Sequence, residues 1–283
     1  FCLRVASAQV PSGRSTHFEL FFLPSASGLS PHVAIDGQAP NFVANAAPNT
    51  LAFEVEDDQP HDITITAGAN VAVTLLGLVS ELSGPGVVLD TLGIPGARAR
   101  AQLYWDQALF QEHLQRRSPD LVVLSYGTNE STDVTQPIRD YAGHLREVVR
   151  RMRASAPHAS CLLVGPTDFP ERVKKGVYQA RTRTAQINEL QRTTAAEFGC
   201  AFFDVIAAMG GPLSMLDWAK ADPPLGAKDL IHFTRKGYTL IGDRIADLLL
   251  DVPSSGPIPV PAAAPAPTPT RAGNAKAKPR SKY

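Results

Sequence analysis

Leu121-Val122-Val123-Leu124-Ser125-Tyr126-Gly127-Thr128-Asn129-Glu130 decides the fold. Four apolar residues in a row, with no polar alternation and a Gly-Thr-Asn turn behind them, read as a strand buried on both faces that ends in a loop. Outward from this run the same rhythm repeats. Further apolar strands are predicted at Val87 to Thr91, Cys161 to Gly165 and Ala201 to Val205. Helices fit Ala99 to Gln115, Pro137 to Ser155, Val177 to Phe198 and Thr234 to Leu250. Strand, loop and amphipathic helix in alternation specify an α/β fold, a parallel sheet covered by helices. In the last helix Thr234 is the expected N-cap, and Leu240, Ile241, Ile245 and Leu248 form the apolar stripe.

Loops beyond the carboxyl ends of parallel strands are where such sheets place their chemistry. Asn129 lies in one of them, able to aim its amide at a reacting oxygen, although Gly-Thr-Asn is equally a plain turn. Gly93-Ile94-Pro95-Gly96-Ala97-Arg98 lies in another, where a glycine lets an oxyanion approach a backbone N–H. The third element is Asp229-Leu230-Ile231-His232, just ahead of the final helix. A spacing of three lets the carboxylate hold one imidazole nitrogen and leaves the other to take a proton from a hydroxyl. Alone, that pair fits a polar cap as well as a dyad.

Together and in this order, the three loops resemble the SGNH (GDSL-like) hydrolase family over about residues 86 to 250. The block-two glycine of that family matches Gly96, block three matches Gly127 and Asn129, and block five matches Asp229 and His232. The resemblance implies a flavodoxin-like sheet of five parallel strands in the order 2-1-3-4-5. It also implies a serine ester hydrolase with Asp229 and His232 catalytic and Gly96 and Asn129 in the oxyanion hole. Gly127 and Glu130 would support them, and no cofactor is needed.

The family's block-one Gly-Asp-Ser is found nowhere in these residues; Ser7, Ser12 and Ser15 have no such context, and Ser125 precedes Gly127 in the wrong order. The nucleophile and its central strand are therefore expected upstream of residue 1, and their absence should leave the Val87 and Leu121 strands with bare edges. Block three usually ends in Asp; Glu130 marks a subgroup resembling peptidoglycan O-acetylesterases with a β-rich, carbohydrate-binding-like insert. Residues 1–85 fit that insert. Strand-sized runs at His17 to Leu23, His32 to Gly37, Leu51 to Glu56, Asp62 to Thr66 and Val71 to Leu76, separated by turn residues, predict a small β-sandwich or jelly roll.

The substrate so implied is an acylated carbohydrate such as O-acetylated peptidoglycan, or another ester. A lipase or thioesterase on the same frame and a non-catalytic wall-binding protein are the alternatives, and the oligomeric state stays open. The 27 basic and 27 acidic residues balance. Arg271, Lys276, Lys278, Arg280 and Lys282 crowd the end, and removing those five leaves 22 basic against 27 acidic, so a nucleic-acid-binding body is not indicated. No apolar run is long enough to span a membrane. The first residue is Phe1 and no signal stretch follows it, so the natural start is expected upstream. The resemblance alone implies a periplasmic or extracellular address. Cys2, Cys161 and Cys200 have no metal-like spacing, and their odd number predicts buried free thiols. The other histidines share no ligand spacing, so no metal site is expected. Asp168 reads as a loop cap, and Trp105 and Trp218 as core or rim. Residues 251–283, with eight of the 24 prolines, read as a disordered Pro/Ala-rich tail.

Overall fold

Phe18, Leu20 and Phe22 alternate with less buried neighbours, the period-two pattern of a strand with one face on a core. They belong to a computed structural model that describes residues 2–5, 16–23, 30–40, 42, 49–57, 61–67, 72–251 and 256–261. The chain divides into two units, Phe1–Leu92 and Gly93–Tyr283.

The first unit holds β1 (Cys2–Val5), β2 (Thr16–Leu23), β3 (His32–Ile35), β4 (Thr50–Val55), β5 (His61–Thr66) and β6 (Thr74–Leu82). They form two antiparallel sheets, ordered β1-β5-β3 and β4-β2-β6. Phe18, Leu20 and Phe53 from one sheet meet Val33, Ile35, Ile63 and Ile65 from the other in one cluster, which makes the unit a β-sandwich, as expected. β1 falls outside the expected runs, and Ser7, Ser12 and Ser15 lie outside the described residues.

In the second unit a 3₁₀ turn (Ala99–Tyr104) leads to α1 (Gln107–Arg117), β7 (Leu121–Ser125), α2 (Ile138–Ser155) and β8 (Ser160–Val164). Next come β9 (Glu171–Lys174), β10 (Val177–Gln179), α3 (Thr182–Glu197) and β11 (Ala201–Phe203). α4 (Val205–Met209), α5 (Ser214–Lys220) and α6 (Arg235–Leu249) complete it. β7, β8 and β11 are parallel with β8 in the middle. Cys161 and Leu163 of β8 pack with Val148, Val149 and Met152 of α2 and Ile187 of α3. Leu162 and Val164 turn to the opposite cluster, with Trp218 of α5 and Ile241 of α6. Helices on both faces explain why β8 reads as an unbroken apolar run.

Several expectations are corrected. Val87–Thr91 forms no strand: a strand exists only as part of a sheet, and no described strand lies beside it or along the second edge of β7. The parallel sheet therefore has three strands among the described residues, not the four expected within this chain. The helix expected from Ala99 breaks at Trp105, because Asp106 caps a new helix by accepting from Leu109 N–H at 2.9 Å. The helix expected from Val177 starts at Thr182, since Val177–Gln179 pairs with Glu171–Lys174 as a hairpin. Cys161 and Cys200 are not free thiols; one residue before the Leu162 and Ala201 pairing of β8 and β11, they are joined in a disulfide with Cα atoms 4.8 Å apart. Within the stretch expected as a tail, residues 256–261 are described. Ile258 is buried and its N–H donates to Ala208 C=O at 2.8 Å, while residues 262–283 lie outside the described residues.

Candidate active site

Ile94-Pro95-Gly96-Ala97 closes on itself, Ala97 N–H donating to Ile94 C=O at 3.0 Å. Pro at the second position and Gly96 at φ +77° at the third are what a type II turn requires. The turn leaves Gly96 N–H without a hydrogen-bond partner among the described residues. It also presents Ala97 C=O to Asn129, whose Nδ2 donates to it at 2.9 Å. One amide proton of Asn129 is thereby fixed, and the second remains available.

Gly127 follows β7 at φ +113°, with its N–H directed into the protein. A Cβ there would stand 2.9 Å from both Gln191 Nε2 and Ile187 Cγ2, so only glycine fits. Its N–H donates to Glu130 Oε2 at 2.9 Å, and Ala99 N–H donates to Glu130 Oε1 at 2.8 Å. Glu130 is 1% exposed. One carboxylate thus bridges the Gly96 loop and the Gly127 loop. Arg183 Nε donates to Glu130 C=O at 2.8 Å and ties in the start of α3.

The Asp229 carboxylate is held by three donors. Oδ1 accepts from Ile231 N–H at 2.9 Å and His232 N–H at 3.0 Å, and Oδ2 lies 2.7 Å from His232 Nδ1. The bond from the His232 ring, then that from its backbone amide, holds the Asp229 carboxyl down at about 2, so it is a carboxylate at any ordinary pH. A carboxylate on Nδ1 fixes the tautomer with the Nε2 lone pair free, and Nε2 has no hydrogen-bond partner among the described residues. The pair is open to solvent, with His232 66% and Asp229 47% exposed at the side chain. Thr234 caps the adjoining helix as expected, accepting from Gly237 N–H at 3.3 Å.

Thr167, after β8, connects the two halves. Its N–H donates to Thr128 Oγ1 at 3.4 Å and its hydroxyl donates to Ile231 C=O at 3.4 Å. The residue before Asn129 and the residue before His232 thus share one neighbour. Sequence reasoning missed Thr167, because nothing local distinguishes a threonine that bridges segments 39 and 64 residues away. Asp168 beside it is a cap: buried, it accepts from Met215 N–H at 2.9 Å. Burial pushes its carboxyl above the ordinary value, against the pull of the Met215 and Leu213 amides. Trp218 is core, its indole N–H donating to Met209 C=O at 3.0 Å. Two hollows of about 480 and 410 Å³ flank Phe42 in the first unit and include none of these residues.

The family model for GDSL-like lipases and acylhydrolases matches residues 65–240. A solved structure of a peptidoglycan O-acetylesterase in action superposes with a TM-score of 0.65 at 23% identity, covering 89% of this chain and 70% of that one. A lipase/acylhydrolase from Enterococcus faecalis gives 0.39 at 18% identity, over 54% of this chain and 71% of the other. An acetyl xylan esterase gives 0.41 at 17%, over 56% and 78%. No curated protein sequence matches. With more than half its length under the family model, and with a hydrolase fold of the same class, the chain belongs to the GDSL-like lipase/acylhydrolase family of esterase-type hydrolases.

Proposed function

We propose that the protein is a serine ester hydrolase that removes a short acyl group, acetyl foremost, from a carbohydrate polymer such as O-acetylated peptidoglycan. The observation that carries this reading is the Asp229–His232 pair at 2.7 Å with a free Nε2, joined through Thr167 to the loop of Asn129. The acetylated polymer is argued from the likeness to the peptidoglycan O-acetylesterase fold. The nucleophile is a serine at a Gly-Asp-Ser strand end outside these residues; no described serine hydroxyl is hydrogen-bonded to His232.

In this mechanism the serine Oγ attacks the ester carbonyl as His232 Nε2 takes its proton, and Asp229 stabilises the imidazolium. Gly96 N–H, the second amide proton of Asn129 and the serine N–H receive the oxyanion, each removing on the order of 3 kcal/mol from the barrier. Collapse breaks the ester C–O bond, and His232 returns the proton to the departing sugar oxygen. Water then repeats the sequence on the acyl-enzyme and releases acetate. The Cys161–Cys200 disulfide favours an oxidising compartment, in keeping with work on a wall polymer.

The test is His232→Ala in the intact gene product, assayed on p-nitrophenyl acetate. Activity is expected to fall by about 10³-fold or more. A variant within a few-fold of wild type removes His232 as the base.

A further inference from the structure

Between the loop of Thr167 and α3 the chain runs out and back as the β9–β10 hairpin, with Gly176 at φ +75° in its turn. The outward foot begins just beyond Thr167, which touches both Thr128 and Ile231. The returning foot is fastened as well. Arg181 lies over the Phe169 ring at 4.5 Å, and Arg183 donates to Glu130 C=O at 2.8 Å. The hairpin therefore stands in fixed register with both halves of the candidate site, unlike a free surface loop.

Its charge is one-sided. Glu171, the sole acid of the hairpin, is occupied at the foot, 3.7 Å from Arg181 and accepting from Gln179 Nε2 at 3.1 Å. Arg172, Lys174 and Lys175 are exposed, and their side chains have no ion pair or hydrogen bond among the described residues. Val173 and Val177 are 57% and 41% exposed beside them, and Tyr178 lies across from Arg172. β9 runs from Glu171 to Lys174, so the cations are spread along the hairpin from Arg172 beside the foot to Lys174 and Lys175, roughly 10 to 13 Å out. A row of cations spread along a hairpin is suited to a stretch of the polymer beside the reacting ester.

We propose that the β9–β10 hairpin is a substrate-binding arm for a polyanion, and that the acylated glycan carries carboxylates close to the ester that is cleaved. The inference deepens the esterase reading and rests on it. Fixed cations beside the reacting ester supply uniform binding, so they act on KM for the polymer.

The test uses the intact gene product and its Arg172→Gln/Lys174→Gln/Lys175→Gln variant on two acetylated polymers, one neutral (O-acetylated xylan) and one anionic (O-acetylated polygalacturonate). Wild type is expected to favour the anionic polymer at low salt, and the variant to raise KM on that polymer alone by about tenfold. The difference should vanish at molar salt, where screening is nearly complete. Equal KM values for the two proteins on the anionic polymer, or an equal rise on both polymers, overturns the arm. Hydrolysis of p-nitrophenyl acetate by wild type is measured alongside, and its absence defeats the esterase reading instead. Co-sedimentation with polygalacturonate then decides the arm by itself: binding lost in the variant supports it, and binding equal in both, or preference for anionic lipid vesicles, overturns it.

Discussion

Glu130 carries more of the site than its position in a turn would indicate. A buried carboxylate is tolerable only when its oxygens are satisfied, and here each oxygen accepts from a backbone amide on a different loop, Ala99 at 2.8 Å and Gly127 at 2.9 Å. Removing one acceptor leaves a buried N–H unpaired at a cost of about 1–3 kcal/mol. Glu130→Gln keeps the shape but turns an NH2 toward one of the two donors. The expected outcome is a lower melting temperature for the Gly93–Tyr283 unit, by an amount equivalent to about 2 kcal/mol, together with a reduced kcat on p-nitrophenyl acetate. Unchanged melting and unchanged kcat would remove Glu130 as the brace of the Gly96 and Asn129 loops. Asp229 behaves differently, because its carboxyl at about 2 stays ionised through any working pH. Stability from that ionisation is present above the ordinary carboxylate range and is lost only as pH falls through about 2.

At the scale of elements, His61 of β5 clips the first unit together. Its Nδ1 lies 2.8 Å from Asp36 Oδ2, in the Asp36-Gly37 turn after β3, and its Nε2 lies 3.0 Å from Asp57 Oδ1, just past β4. Donation from both ring nitrogens requires the imidazolium. Burial alone would lower its pKa, but the bonds to Asp36 and Asp57 outweigh that and raise it. A raised folded-state pKa gives stability that is complete below the unfolded value of about 6.5 and is lost as pH climbs through the folded value. The melting temperature of the β-unit should therefore fall as pH rises above the ordinary histidine value, and His61→Gln should flatten that dependence. A wild-type curve that is flat or rises with pH counts against the clip. Elements of this kind show what was legible in advance. α2, α6, β7 and β8 could be read directly, because their periods and the Thr234 cap are local properties of the chain. Val87–Thr91 could not, since a strand depends on a partner elsewhere. β10 falls within the helix expected from Val177, although Lys175-Gly176 between valines is a turn signal. For the candidate site, Gly96, Gly127, Asn129, Glu130, Asp229 and His232 are proposed from local motifs, whereas the contacts of Thr167 join distant segments and have no local signal.

For the molecule as a whole, the exposed apolar side chains around residues 87–94 set how the chain behaves in solution. Val87, Leu89 and Leu92 are 98%, 82% and 80% exposed, and Ile94 is 59% exposed. Val123 of β7, on a strand that pairs only with β8 among the described residues, is 46% exposed. A parallel strand normally lies between neighbours and under helices. An open edge together with an extended apolar run offers both backbone hydrogen bonds and hydrophobic area to another molecule. The 283-residue chain is therefore expected to self-associate reversibly as concentration rises and to bind a hydrophobic dye in its folded state. Leu89→Lys combined with Leu92→Lys should shift it toward monomer, because the buried charges would oppose association while the folded core, which holds neither residue, stays intact. Sedimentation velocity across a concentration series decides the matter: a wild-type chain that stays monomeric and unfolds reversibly and cooperatively would show that these surfaces are not the liability their exposure implies.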